Sequence, residues 1–202
     1  MLYRILVRFA RLCLRIFNRW TVQGAENLPK EGPVVVIANH VSNWDPVLLA
    51  CAVTRPLCFM AKDSLFKVPV LGWLIKKVHA FPVKRGRPDR NALRTAAELL
   101  SKGKVLALFP EGTRSKTGEL LPFHPGAALF ALRTNSPVVP VVLLGSKTTF
   151  PMSIRGKIEV RIGKPLHFSE LGERRSSGEE LEKAAHMMRK EMLKLMKDVP
   201  GL

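Results

Sequence analysis

From residue 21 onward, short apolar runs alternate with segments of helical periodicity, and this alternation constrains the fold more than any other feature of the sequence. The runs are rich in β-branched residues and mostly apolar throughout, which is typical of strands buried on both faces. They lie at residues 33–38, 57–61, 79–83, 104–109, 137–144 and 157–162. The clearest helical segments are 90–103, 126–135 and 178–198, the last of them after a predicted exposed loop at 173–178. The pattern predicts an α/β fold with a mixed, largely buried sheet flanked by helices, in one domain over residues 21–202.

The first twenty residues, MLYRILVRFARLCLRIFNRW, are apolar apart from regularly spaced arginines. On a helix, the arginines at positions 4, 8, 11, 15 and 19 form a stripe about 80° wide. A membrane-spanning helix would place several of them near mid-bilayer at roughly 2.5 to 3.5 kcal/mol each, and they also interrupt the apolar stretch that a signal peptide needs. We therefore expect residues 1–20 to form a basic amphipathic helix in the membrane interface. Its apolar face would comprise Leu6, Phe9, Leu12, Ile16 and Phe17.

A second interpretation of this helix is a cover over the protein's own core, and both interpretations could hold in part. The chain has 33 Lys and Arg against 16 Asp and Glu, a formal charge of +17. Such a charge indicates an anionic partner: nucleic acid, an acidic membrane surface or phosphorylated substrates. Nucleic acid is disfavoured, because the chain has one tyrosine, no aromatic RNA-binding motif and no recognisable DNA-reading element. Three cysteines without CxxC spacing give no zinc or disulfide framework, and no metal site is expected.

The stretch NHVSNWDP, residues 39–46, follows the first predicted buried strand. It places His40 at the carboxyl end of that strand, where ligands of open α/β sheets usually bind. Asp45 lies five residues later, close enough across a turn for its carboxylate to fix the imidazole tautomer and stabilise the imidazolium. A structural alternative is that Asp45 and Pro46 only begin a helix as N-cap and first-turn residue. That alternative accounts for Asp45 but leaves His40 unexplained.

The stretch FPEGTRS, residues 109–115, follows another predicted strand in the same way. Gly112 allows backbone amides to approach a ligand, Thr113 offers a hydroxyl, and Arg114 offers a planar fork suited to phosphate. The structural alternative is a polar turn with an exposed arginine. Lys62, Lys84, Arg85 and Arg87 could extend a basic rim around the same site.

Together these stretches resemble the glycerolipid acyltransferase family, and within it the bacterial 1-acylglycerol-3-phosphate acyltransferases. NHVSNWD matches the family's NHxxxxD box, FPEGTRS matches its third box in full, and VVPVV with Pro140 is similar to its fourth. The resemblance covers roughly residues 20–165. In the second block, HAFPVKR has His79 and Lys84 where the family often has a glycine and an acidic residue before its arginine, here Arg85.

The resemblance implies direct acyl transfer to lysophosphatidate. His40 would act as general base and Asp45 would orient it, while Glu111, Gly112, Thr113 and Arg114, with Arg85, would hold the acceptor's phosphate. The donor would be acyl-CoA or acyl-carrier protein as co-substrate, with no further cofactor. The protein would bind membrane lipids as a peripheral or monotopic protein on the cytoplasmic face of the cell membrane. Other acceptors, such as glycerol 3-phosphate, another lysolipid or an amino-lipid, and a non-catalytic anionic-phospholipid-binding protein remain as alternatives.

Overall fold

The described residues form a single seven-stranded sheet, as the α/β pattern predicts. The structure, a computed structural model, describes residues 2–84, 89–149, 156–168 and 177–197. The strands are β1 (Arg19–Gln23), β2 (Val34–Ala38), β3 (Leu57–Lys62), β4 (Ala80–Val83), β5 (Val105–Leu108), β6 (Val138–Leu144) and β7 (Lys157–Ile162). Their order is β1-β7-β6-β2-β5-β3-β4, and every neighbouring pair is parallel except β6 and β7. All six predicted strands are confirmed within one or two residues, and the sheet is mixed as expected.

The helices connect these strands and cover both faces of the sheet. They are α1 (Leu2–Phe17), α2 (Asp45–Ala52), α3 (Leu71–Lys77), α4 (Arg90–Ser101), α5 (Gly126–Thr134), the short α6 (Ser146–Thr149) and α7 (Gly178–Lys197). Short 3₁₀ helices lie at Ala25–Asn27 and Asp63–Lys67. The three helical segments expected from the sequence are present as α4, α5 and α7.

Two apolar cores lie on opposite sides of the sheet, which explains why β2 is apolar at every position. Val34 and Val36 face a core formed with α1 and α2, whereas Val35 and Ile37 face a core formed with α4, α5 and α7. A strand between two covered faces exposes neither set of side chains, so its sequence loses the polar alternation of a half-exposed strand. Because β2 is central and parallel to β5 and β6, the carboxyl ends of these three strands meet at one edge of the sheet.

The N-terminal helix is shorter than the sequence predicts. α1 ends at Phe17, and Arg19 begins β1, where it pairs with Lys157 of β7. The prediction of a helix through residue 20 is therefore wrong in its last three residues, and Arg19 does not belong to the arginine stripe. β1 was not predicted, because its pairing with a strand far along the chain leaves little trace in five residues that follow a helix.

The cover-helix interpretation of α1 is confirmed in part, whereas the membrane-interfacial interpretation stays a prediction. Tyr3 and Leu14 are buried in the first core, as a cover helix requires. The same helix exposes half or more of Ile5, Phe9, Leu12 and Ile16, as a membrane-interfacial helix requires. Within the described residues, no helix is both long enough and apolar enough to cross a bilayer.

Arg11 differs from the other arginines of the stripe. Its guanidinium donates to the carbonyl oxygens of Cys51 (2.7 Å) and Val53 (2.6 Å) at the end of α2. Arg11 lies at the edge of the stripe nearest the buried side of α1, so its side chain reaches the neighbouring helix. The expectation that all five arginines face lipid head groups is therefore wrong for Arg11.

The start of α7 is fixed by a reciprocal pair of hydrogen bonds. The backbone N–H of Glu180 donates to Ser177 Oγ (3.2 Å), and the backbone N–H of Ser177 donates to the Glu180 carboxylate (2.7 Å). This capping box satisfies two donors and sets where the helix begins. Of the predicted loop at 173–178, residues 173–176 lie outside the described residues, and Gly178 already belongs to α7.

Candidate active site

The side chains of His40 and Asp45 are in contact, as the sequence predicts. His40 Nδ1 lies 2.8 Å from Asp45 Oδ2, and the two side chains are 12% and 0% exposed. The His40 ring also stacks on Phe109, with ring centroids 4.2 Å apart. Because Nδ1 faces the carboxylate, Nε2 is the nitrogen that can exchange a proton with a substrate.

Asp45 is held by the turn that precedes it. Its Oδ2 accepts hydrogen bonds from the backbone N–H groups of Val41 (2.6 Å) and Ser42 (2.7 Å) in addition to its contact with His40. Asp45 is the first residue of α2, and Trp44 occupies the N-cap position. The interpretation of Asp45 as an N-cap is therefore wrong. Its carboxylate binds the segment that carries His40 instead of capping the helix N–H groups, and this arrangement fixes its position relative to the imidazole.

Asn39 connects the end of β2 to β6. Its side-chain amide donates to the carbonyl oxygen of Leu143 (3.0 Å), and its side-chain oxygen accepts from the N–H of the same residue (2.7 Å). Asn39 is 2% exposed, so these bonds satisfy polar groups that water does not reach. The sequence did not indicate this role of Asn39, since the pairing depends on which strands are neighbours.

The backbone of His40 is held on both sides by the 109–115 stretch. Its N–H donates to Glu111 Oε1 (2.7 Å), and its carbonyl oxygen accepts from the N–H of Ser115 (2.8 Å). The two motifs meet because β2 and β5 are adjacent parallel strands that end at the same edge of the sheet. The loop between Glu111 and Ser115 is therefore anchored at both ends to the residue that carries the imidazole.

Glu111 is oriented toward the protein interior. It is 2% exposed, and its second oxygen accepts from the backbone N–H of Leu121 (2.9 Å). Burial raises the pKa of the Glu111 carboxyl above its ordinary value, against the opposing effect of the Leu121 and His40 N–H donors. Both oxygens are used within the protein, and a carboxylate would repel a phosphate. We therefore assign Glu111 to the positioning of His40 and not to direct contact with a substrate.

The remaining predicted residues of the loop face outward. Thr113 and Arg114 are exposed, and they lie between the two residues that bind the His40 backbone. Gly112 adopts a φ of 66°, and a Cβ there would lie 2.7 Å from the His124 ring, so a larger residue would be strained and would collide. His124 thus packs against this loop, and its backbone N–H donates to the carbonyl oxygen of Pro110 (2.9 Å). The sequence did not indicate this role of His124.

The other predicted residues are placed as follows. Arg85 and Arg87 lie outside the described residues, whereas Lys62 and Lys84 are exposed. Pro140, from the fourth block, is buried in β6 opposite Ile37 of β2.

The arrangement of the site thus combines a nearly buried histidine, hydrogen-bonded to a fully buried aspartate, with an exposed arginine on an anchored loop. Such a site can remove a proton from a hydroxyl group and can bind an anion beside it.

Comparisons with known proteins identify the family of the chain. The sequence model described as acyltransferase matches residues 19–144, which include both motifs. A 1-acyl-sn-glycerol-3-phosphate acyltransferase of Bacillus subtilis is 32% identical over 168 residues, which are 82% of this chain and 83% of that protein. The corresponding enzyme of Pseudomonas aeruginosa is 31% identical over 188 residues, covering 85% and 71%.

A solved structure and a plant relative extend the comparison. The crystal structure of the 1-acyl-sn-glycerophosphate acyltransferase PlsC from Thermotoga maritima matches with a TM-score of 0.77 and 31% identity, covering 99% of this chain and 81% of that one. A chloroplastic 1-acyl-sn-glycerol-3-phosphate acyltransferase of Brassica napus is 35% identical over 80% of this chain, but the chain spans only 49% of its length. From the family match, the bacterial relatives and the shared fold, it follows that this chain belongs to the acyltransferase family.

Proposed function

We propose that the protein transfers an acyl chain from an acyl thioester to the free hydroxyl of 1-acyl-glycerol-3-phosphate, giving phosphatidic acid. The contact between His40 Nδ1 and Asp45 Oδ2 carries this proposal, because it orients the imidazole with Nε2 available to take a proton. The names of the relatives support the choice of acceptor. The donor is acyl-CoA or acyl-carrier protein, and no other cofactor takes part.

His40 acts as the general base. Nε2 accepts the proton of the acceptor hydroxyl as its oxygen attacks the thioester carbonyl, and Asp45 stabilises the imidazolium that forms. The tetrahedral intermediate then collapses, the carbon–sulfur bond breaks, and the thiolate takes the proton from the imidazolium. Direct transfer requires no acyl-enzyme intermediate, and the sequence contains no G-x-S-x-G nucleophile elbow.

The loop at 112–114 binds the acceptor's phosphate. Arg114 supplies the guanidinium fork, Thr113 supplies a hydroxyl, and Gly112 allows backbone N–H groups to approach the anion. Arg85 contributes a second positive charge from the segment after β4. Since Glu111 and Ser115 anchor this loop to the His40 backbone, phosphate binding there fixes the acceptor relative to the imidazole.

The protein works at the surface of a membrane. Its acceptor and product are bilayer lipids, whereas the thioester donor is soluble, so the site has to reach both phases. The exposed apolar residues and arginines of α1 fit the interface of an anionic leaflet. We infer that the protein binds the cytoplasmic face of the cell membrane as a peripheral or monotopic protein.

An acyl-transfer assay with the purified protein tests this function. Acyl-CoA and acyl-carrier protein are each offered with lysophosphatidate, glycerol 3-phosphate, other lysolipids and an amino-lipid. We expect phosphatidic acid to form from lysophosphatidate, and His40→Ala to lower turnover by roughly two to four orders of magnitude. His167→Ala, which changes an exposed histidine that follows β7, is the matched control and should retain full turnover. An active His40→Ala variant would exclude the proposed base.

A further inference from the structure

The segment between β3 and β4 exposes an unusual number of large apolar side chains. We call residues 63–77, which comprise the 3₁₀ helix Asp63–Lys67, the turn after it and α3, the 63–77 patch. Its exposed apolar residues are Leu65 (40% exposed), Val68 (45%), Val70 (78%), Leu71 (39%) and Trp73 (57%). Exposed large apolar side chains gathered in one short segment in this way indicate an interaction site.

The exposed side chains belong to a tightly packed unit. Gly72 is buried, and a Cβ at this position would lie 2.4 Å from the carbonyl oxygen of Phe66. The first turn of α3 is therefore in direct contact with the 3₁₀ helix. Loose packing does not account for the exposure of Val70 and Trp73, because the backbone beneath them is close-packed.

Val70 is held outward by a strained turn. Its φ and ψ are 62° and −57°, and the N–H of Leu71 donates to the carbonyl oxygen of Pro69 (2.6 Å). This is a γ-turn of the rare, strained hand, centred on a β-branched residue that rarely adopts a positive φ. Backbone strain of this kind tends to be kept where it has a function. Here it places the most exposed apolar side chain of the patch at the tip of the turn.

Positive charges surround the apolar residues. Lys62, Lys67, Lys76 and Lys77 are exposed within or next to the patch, and Asp63 is its single acidic residue. Apolar side chains bordered by lysines match the interface of an anionic bilayer, where the apolar groups enter the acyl boundary and the ammonium groups meet lipid phosphates. An apolar protein partner would not need the lysines, so the charge pattern favours a lipid surface.

The patch is connected to the side of the sheet that α1 covers. The Tyr3 ring of α1 stacks on His79, which follows the patch, with ring centroids 5.1 Å apart. Val78 and Ala80 pack against the same core as α1 and α2. The C-terminal end of the patch therefore adjoins the N-terminal end of α1, which is the arrangement that contact of both elements with a single membrane surface needs.

We propose that the 63–77 patch is a second membrane contact, which inserts Val70 and Trp73 into an anionic bilayer while α1 binds beside it. This inference rests on the proposed function, since an enzyme whose acceptor lies in the bilayer has to bind the membrane surface. Two separate contacts fix the orientation of a protein on a surface, which one helix alone does not. The patch thereby sets how the carboxyl edge of the sheet, with His40, faces the lipid.

Vesicle binding of the full chain tests the patch. Val70→Asn combined with Trp73→Gln removes the apolar groups, and asparagine tolerates a positive φ better than valine. We expect binding to phosphatidylcholine vesicles containing phosphatidylglycerol to fall about tenfold or more. Met187→Gln is the matched control, because Met187 is an exposed apolar residue (42%) on α7, a helix of the opposite core. It should bind like the unmodified protein, and equal losses in both variants would overturn the proposal.

A lysine pair tests the charged part of the patch. Lys76→Gln combined with Lys77→Gln should weaken binding to the anionic vesicles about tenfold and reduce its dependence on salt. Lys183→Gln with Lys190→Gln, two exposed lysines on α7, is the control of equal charge and should change binding less. A loss of the same size in both pairs would show a general charge effect and contradict the patch.

Fluorescence of Trp73 gives a measurement that does not depend on a destabilising variant. Lipids brominated in the acyl chain should quench part of the tryptophan emission of the bound protein. Trp73→Phe should bind the vesicles normally but lose most of that quenching. Quenching that is unchanged in Trp73→Phe would overturn the proposal. So would a loss of self-association in the Val70→Asn, Trp73→Gln variant with vesicle binding intact, which would make the patch a contact between copies of the chain.

Activity assays separate failure of the patch from failure of the proposed function. With lysophosphatidate dispersed in detergent, the Val70→Asn, Trp73→Gln variant should retain the turnover of the unmodified protein within about twofold. With the acceptor embedded in vesicles, the same variant should lose turnover. Absence of acyl transfer by the unmodified protein in both assays would refute the function, whereas vesicle binding would still report on the patch. Equal turnover of variant and unmodified protein on vesicles would refute the patch alone.

Discussion

The backbone N–H of His40 donates to Oε1 of Glu111, 2.7 Å away and 71 residues later in the chain. This bond joins the motif that carries the imidazole to the loop that carries Arg114. The N–H of Ser115 donates to the His40 carbonyl oxygen and closes the connection from the other side. The proposed general base and the proposed phosphate-binding loop are thus held in register by hydrogen bonds to the backbone of one residue.

Replacing Glu111 by glutamine tests this connection. The single oxygen of the glutamine amide could still accept one backbone N–H. Its NH₂ group would face the other backbone donor, so one of the two hydrogen bonds from His40 and Leu121 is lost. We expect the free energy of unfolding to fall by about 1–3 kcal/mol. We also expect kcat to fall about ten- to a hundredfold while the KM of the acceptor changes less, because His40 is misplaced and the phosphate site is kept. A raised acceptor KM with unchanged kcat would instead indicate direct contact between Glu111 and the substrate.

The raised pKa of Glu111 gives a prediction for stability against pH. Because burial raises the pKa of this carboxyl, the folded protein holds its proton more tightly than the unfolded chain. The stabilising contribution is fully present below the unfolded pKa, about 4.3, and is lost as the pH rises through the higher folded value. Urea unfolding at a series of pH values should therefore show unmodified protein losing stability relative to Glu111→Gln across this window. A difference in the free energy of unfolding between the two proteins that stays constant with pH would contradict a raised pKa of Glu111.

Asp45→Asn tests the orientation of the base. An amide oxygen can still accept from the N–H groups of Val41 and Ser42, so the turn should persist. The amide does not supply the charge that stabilises an imidazolium, and we expect turnover to fall by roughly two to four orders of magnitude. Thermal unfolding measured on the same samples separates this effect from a loss of fold. Turnover that falls only in proportion to the folded fraction would reduce Asp45 to a structural role.

Arg114→Lys tests the phosphate site. A lysine keeps the charge but lacks the planar fork that binds two phosphate oxygens at once. We expect the KM of the acceptor to rise about tenfold, with a smaller change in the KM of the donor. Arg133→Lys, at an exposed arginine near the end of α5, is the matched control and should leave both constants unchanged. Equal increases for donor and acceptor would assign Arg114 a different role.

Much of the fold could be predicted because burial leaves a direct mark on sequence. Strands such as β2 and β5 are apolar throughout, since both of their faces are covered. Glu159 and Arg161 of β7 show the limit of this signal. Polar residues at alternate positions predict an exposed face, yet both are buried under α7, where Arg161 donates to Glu159 (2.6 Å) and to the carbonyl oxygen of Leu195 (3.1 Å).

The site was predictable only within each motif. The contact between His40 and Asp45 follows from five residues and a turn, so local spacing was sufficient. The bonds from Asn39 to Leu143 and from His40 to Glu111 depend on which strands are neighbours in the sheet, and one sequence does not contain that order. The same reason hid the role of Arg11, since its partners lie on another helix.

The arginines of α1 give the last prediction, because the structure divides them into two kinds. Arg4, Arg8 and Arg15 are exposed, whereas Arg11 donates to two carbonyl oxygens at the end of α2. Arg11→Gln should lower the free energy of unfolding by about 1–3 kcal/mol, since it removes charge-assisted hydrogen bonds to groups that α2 leaves unpaired. It should change binding to anionic vesicles only by the loss of one charge.

The triple variant Arg4→Gln, Arg8→Gln, Arg15→Gln should behave in the opposite way. Each exposed arginine contributes about 1 kcal/mol near an anionic surface, so binding should fall by about two orders of magnitude at low salt and by less at high salt. Thermal unfolding should be nearly unchanged, because these side chains lie outside the core. Vesicle co-sedimentation and thermal unfolding of both variants check the division. Stability lost in the triple variant but kept in Arg11→Gln would mean that α1 packs on the domain through its exposed arginines, and the membrane contact would then rest on the 63–77 patch.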